Sequence, residues 1–271
     1  MYYIIKRYTG YDKLPQPPTL DPVLNNNSWE DIQWAVQHGV ASSTWSVGDR
    51  KAVVLNGTVG AKTFSNQTVY AYILGFNHNA TLEGDNTLHF QFGFSALSGG
   101  THIAFCDSNY ATKGGAFRMY TSATTSGGWN NSYMRKTTIP AFINTMPSDL
   151  QTVLKTVTKY TDNGTGSTHK SSSDVTATSD KVFLLSEYEI FGTRYYANNS
   201  EKNSQAQYDF YSNGGSKKKY QDISPSTGAT WFLRSPYYND NYDFCTVGDG
   251  GEYGMAGTDW AWGFAPAFVV G

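Results

Sequence analysis

Apolar and polar positions change period several times along this chain of 271 residues, and each change predicts an element. Trp29, Ile32 and Val36 recur at helical spacing behind Ser28, with Asp31 three residues on and Gly39 beyond. That order predicts a capped helix from Ser28 to His38. Thr44 to Leu55 leads into a strand, and Asn56-Gly57 is a hairpin signal, so Thr58 to Phe64 should return antiparallel. Val69 to Phe76 reads as a strand. Leu88 to Phe94 alternates with one apolar face and reads as another. Gly127 to Arg135 runs from a loop into a helix capped at Asn131 or Ser132, carried on by Phe142 to Met146. Ser148-x-x-Gln151 is a capping-box pattern for a further turn. Lys155 to Lys159 reads as strand, Asp162 to Asp180 as a Gly/Ser/Thr loop, and Asp180 to Ser186 as a buried strand. Glu187 to Gly192 then makes a helical turn, and Asn198 to Ser224 is a polar excursion. At the front, Tyr2 to Tyr8 reads as a strand and Leu14 to Pro22, with its repeated prolines, as an extended arm. The division is an arm over 1–27 and a domain over 28–271.

The last stretch, Trp231 to Gly271, holds the candidate site. Trp231-Phe232-Leu233 and Phe264 to Val270 read as buried strands, the second at an edge or bulge because Pro266 lies within it. Between them the chain is loop-like and dense in Tyr, Asn, Asp and Gly. Tyrosine gives contact area for few rotors, and Asn, Asp and Gly adapt their hydrogen bonds. The candidate ligand-binding residues are Tyr237, Tyr238, Asn239, Asp240, Asn241, Tyr242, Asp243, Glu252, Tyr253, Asp259, Trp260 and Trp262. A wet surface loop with both tryptophans in the core is the competing reading.

Composition narrows the class. Charged residues make up 15%, against about 25% in ordinary domains, and the 27 glycines favour strands and loops over helices. A net charge of −2 gives no field to hold nucleic acid. Lys217-Lys218-Lys219 reads as a solvated loop tip. Cys106 and Cys245 leave one bridge and two free thiols both open. His78, His89 and His102 lack zinc-helix spacing and read as isolated structural or surface residues. Glu187, Glu189 and Glu252 are the carboxylates available for acid–base work, but no nucleophile, zinc or phosphate-loop motif accompanies them. No cofactor or metal is expected. The N-terminus lacks a signal-peptide pattern, and no stretch is long and apolar enough to span a membrane.

Thr44 to Gly57, Gly128 to Arg135, the Met146 to Leu150 turn, Asp180 to Gly192, WFLRSP and the closing GFAPAF together resemble a known family. It is an uncharacterised domain family of bacterial, prophage and phage proteins with a C-type-lectin-like fold. The resemblance implies an α+β fold of short antiparallel strands, two or three helices and long loops. It is similar in turn to the variable proteins of diversity-generating retroelements, which display a diversified C-terminal patch. Where those close with Arg before Pro, this chain has Gly263-Phe264-Ala265-Pro266. The implied function is binding of a protein or glycan on a cell surface by an adhesin or receptor-binding module, as a virion or cell-surface component made in the cytoplasm. The alternatives are a tail or fibre part docked to virion tail proteins through the arm, and an enzyme related to formylglycine-generating enzymes using its two cysteines. We expect a binder, with no nucleic acid and no membrane insertion.

Overall fold

The computed structural model describes residues 17–164 and 171–271; the expected strand Tyr2–Tyr8 lies outside the described residues. The fold is α+β, with mostly antiparallel strands and short helices. The main sheet runs β1 (Arg50–Val59), β2 (Lys62–Phe76), β3 (Leu88–Phe94), β15 (Ala267–Val270), β8 (Val182–Phe183). A second sheet joins β10 (Ser224–Ala229), β9 (Lys219–Gln221) and β4 (Ile103–Ala104). A third is the meander β11 (Trp231–Pro236), β12 (Asp243–Val247), β13 (Tyr253–Gly257). Two pairs complete the set: β6 (Val157–Asp162) with β7 (Val175–Asp180), and β14 (Trp260–Ala261) with β5 (Thr112–Lys113).

The predicted first helix is present as Trp29–Gln37, and Ser28 and Asp31 form the reciprocal capping box. Its Trp29 packs edge-on against Phe90 and Phe268, ring centroids 5.5 and 5.9 Å away, which seats the helix on β3 and β15. The buried apolar residues form one cluster from Leu24 to Val270. Asp21, in the arm, accepts the Trp45 indole N–H at its carbonyl (3.0 Å), so the arm's end is tied to this core. The Ser132 hydroxyl accepts the Arg135 N–H (3.0 Å), as a cap should. Ser148–Val153 is helical without the expected box, because Gln151 turns back to the Met146 carbonyl instead.

Several expectations are corrected. Asn56-Gly57 is a bulge inside β1, not a turn: the register slips between Leu55 and Gly57, and the Asn56 N–H goes to Thr145. The hairpin turns three residues later, between Val59 and Lys62, where Gly60 takes φ +55° with Ala116 against it. Pro266 sits just before β15, and its carbonyl accepts the Phe92 N–H; β15 is an interior strand, not an edge. Part of the expected loop at 162–180 is strand β7, paired with β6, in which Thr178 and Asp180 are buried and Ala177 and Ser179 exposed. Every residue of β3 is buried, so its polar positions face a second interior layer rather than solvent. The polar excursion after Asn198 contains helical turns and β9.

Lys219 is not at a solvated tip. It is fully buried in β9, with Nζ 3.3 Å from the Tyr72 hydroxyl and 5.3 Å from the ring centroids of Tyr72 and Trp231. Strand alternation turns it inward, and burial pulls its pKa down to about 7.

Candidate ligand-binding surface

Ser186 caps the short helix Glu187–Phe191, its hydroxyl accepting the Glu189 N–H (3.1 Å), and the helix ends at Gly192. The first helical residue, Glu187, is buried and turns its carboxylate onto the following loop. It accepts the backbone N–H groups of Tyr195 (2.8 Å), Tyr196 (2.8 and 3.0 Å) and Ala197 (2.8 Å). Burial pushes its pKa up, and these three donors oppose the shift. The clamp presents two tyrosines to β13. Tyr195 lies flat on Tyr253, and Tyr196 stands edge-on to both Tyr253 (5.5 Å) and Tyr237 (5.3 Å). Tyr237 in turn meets Tyr238 at 5.4 Å, and the Arg194 guanidinium covers the Tyr238 ring at 5.0 Å. The result is a continuous tyrosine surface fixed by buried hydrogen bonds.

The segment between the buried end strands is therefore not one loop but contains β12, β13 and β14. Of the twelve candidate residues none is buried, including both tryptophans. Trp231, Leu233, Phe264 and Phe268 are fully buried. The twelve fall into separate groups. Tyr237, Tyr238 and Tyr253 join the tyrosine surface. Asn239 to Tyr242 lie in the β11–β12 connection and Asp243 opens β12; Asp240 Oδ1 accepts the N–H groups of Tyr242 and Asp243 (both 2.9 Å). Burial and the neighbouring Asp240 raise the Asp243 pKa to about 6. Glu252 packs over Gly248 and Gly250 in the β12–β13 turn. Asp259, Trp260 and Trp262 lie beyond β13: Asp259 pairs with Lys113 (3.1 Å), and Trp262 meets Tyr110 edge-on at 5.4 Å. Sequence reasoning missed Arg194, Tyr195 and Tyr196. The repeated Tyr-Tyr doublet, at 195–196 and 237–238, was the available signal.

The family described as "Domain of unknown function (DUF6273)" matches residues 107–271. The chain belongs to that family. No curated protein and no solved structure matches the chain. The whole tyrosine surface lies inside the DUF6273 region.

A buried ionic cluster bridges that region and the strands before it. Lys159 Nζ donates to Glu83 (2.6 Å), Glu189 (3.1 Å) and the Tyr208 hydroxyl (3.1 Å). Arg234 holds Glu189 with both terminal nitrogens. Attraction to Arg234 and Lys159 outweighs burial and keeps the Glu189 carboxyl well below the usual range. His78 and His89 are not isolated: both pack against Tyr208, and burial lowers the pKa of each, His78 to about 3. His78, Glu83 and Glu189 have ligand atoms close enough to share a metal. The Lys159 ammonium already bridges the two carboxylates, so two cations balance two anions and the donor set does not suit an ion. Glu187 and Glu189 are thus bound up in structure rather than poised as an acid–base pair, and Glu252 lies elsewhere. Cys106 and Cys245 are free, buried, and pushed up in pKa by that burial, which disfavours the reactive thiolate.

Proposed function

We propose that the chain is a ligand-binding module whose contact surface is the tyrosine cluster of Tyr195, Tyr196, Tyr237, Tyr238 and Tyr253, bordered by Asn239 and Asp240. The observation that carries this reading is the Glu187 clamp. It spends a buried carboxylate on fixing the backbone beneath two tyrosines, one of them 40% exposed. Rings already fixed in place lose little freedom when a ligand lands on them. Sugar rings stack on tyrosine faces, and protein surfaces pack on them, so the ligand is a glycan or protein on a cell surface. The frame is proposed to be C-type-lectin-like, in a phage- or prophage-encoded adhesin or receptor-binding protein whose C-terminal patch is diversified. Binding rather than catalysis is supported by the burial of the clustered ionisable groups and of both thiols.

The test uses the full chain against an immobilised glycan panel and intact bacterial cells. Replacing Tyr195, Tyr237 and Tyr238 together by Ala should abolish binding with little change in melting temperature. Unchanged binding by the folded triple variant would refute the site.

A further inference from the structure

Strand β13 is an edge of its sheet, hydrogen-bonded to β12 on one side. Among the described residues, none donates to or accepts from the backbone on its other side. Three other edges are guarded. On β1 the Ala52 N–H goes to the Asn25 side chain and the Asn56 N–H to Thr145. On β7 Arg135 reaches the Ser179 carbonyl, and β10 carries Pro225 and a register slip. β13, reading Tyr-Gly-Met-Ala-Gly, has no proline, no charge and no bulge, and exposes Tyr253 by 42% and Met255 by 45%. Such an edge templates pairing with another strand.

Its sequence says which strand. If β13 pairs antiparallel with itself about a two-fold axis at Met255, residues whose numbers sum to 510 stand opposite one another. Tyr253 then faces Gly257 of the second copy, which has no side chain of its own. Trp260, itself 37% exposed, packs its ring beside Gly257, so the incoming tyrosine meets an aromatic edge there. Gly254 faces Ala256, small against small. Glu252, the nearest charge along the chain, falls opposite Thr258, so no like charges meet. Large against small at both ends follows from the symmetry alone, which an unrelated peptide would have to match by its own sequence.

We propose that β13 is a self-association edge: two copies of this chain join their three-stranded meanders into one six-stranded antiparallel sheet. The contact is one short strand and three side chains, so the dimer is weak, in about the micromolar range. It brings two tyrosine surfaces side by side, which raises avidity for a repeated ligand.

Sedimentation of the full chain over a concentration series should show reversible monomer–dimer exchange. Met255→Lys sets two ammonium groups against each other across the axis and should weaken the dimer about tenfold or more, with the melting temperature held because Met255 is exposed. Met255→Cys should form a disulfide-linked dimer under mild oxidation much faster than Ile223→Cys, a similarly exposed control in the β9–β10 turn, while the native thiols stay buried. A chain that remains monomeric at all concentrations, a dimer indifferent to Met255→Lys, or equal cross-linking at 223 and 255 would overturn the proposal. The first of these would leave the edge open to a foreign peptide instead.

Discussion

The ring of Tyr195 lies on the ring of Tyr253, centroids 3.7 Å apart and planes 8° from parallel. One comes from a loop and the other from β13, 58 residues apart in sequence, and what holds the first against the second is the Glu187 carboxylate beneath it. Replacing Glu187 by Ala strands three backbone donors, and an unsatisfied buried donor costs about 1–3 kcal/mol. We expect a loss of about 2 kcal/mol or more, with the amides of Tyr195, Tyr196 and Ala197 exchanging hydrogen far faster than in the parent. Unchanged exchange at those three amides would show that the loop is held by something else.

Lys159→Met should be among the most damaging single changes. It removes one of two cations that balance Glu83 and Glu189, and breaking a buried pair costs about 3–5 kcal/mol. Adding Glu83→Leu removes the orphaned charge and should restore part of the loss. Denaturant midpoints of the single and double variants measure both effects.

Two buried groups contribute slopes of opposite sign to stability on either side of neutral pH. Lys219 has its folded pKa lowered to about 7 from an ordinary 10.5, so its contribution is full above pH 10.5 and is lost as pH falls through 7. Glu201 is raised to about 7 from 4.5 by burial; its contribution is full below pH 4.5 and is lost as pH rises through 7. Lys219→Met should remove its rise in stability on the alkaline side, and Glu201→Gln its fall on the acid side, where buried His78 contributes the opposite slope. Chemical denaturation across pH 4 to 11, with both variants, checks the two slopes separately.

Gly57→Val should destabilise by about 1 kcal/mol or more, since φ at Gly57 is +135° and the new Cβ would press on Thr145 at 3.3 Å. Gly60→Val should cost more, because a Cβ there would lie 2.7 Å from the Ala116 methyl group. The order of the two melting temperatures separates bulge from turn.

What the sequence made legible was local. The Ser28 and Ser186 caps, the frame strands Trp231–Pro236 and Ala267–Val270, and the exposure of Tyr253 all follow from patterns a few residues long. The failures were matters of distant pairing. Asn56-Gly57 makes a turn in isolation, but Thr145 offers its carbonyl to Asn56, and the chain bulges and runs on. Lys219 belongs to a charge run until β4 and β10 enclose its strand. His89 and Gln91 look like the wet face of an amphipathic strand until Tyr208 and Tyr211 cover them. Tyr195 and Tyr196 carry no site signal by themselves; Glu187 and β13 give them one.

The position of β15 has a consequence for the order of folding. It is the last of the five main-sheet strands to be synthesised, yet it lies between β3 and β8, joining two parts of the sheet that make no other pairing. A nascent chain that has not yet delivered Ala267–Val270 therefore exposes the flank of β3, a strand buried along its whole length in the finished fold. Pairings of such sequence separation form slowly and leave unpaired edges open to aggregation meanwhile. The chain remains vulnerable until its closing residues slot in, as a keystone does, from the side.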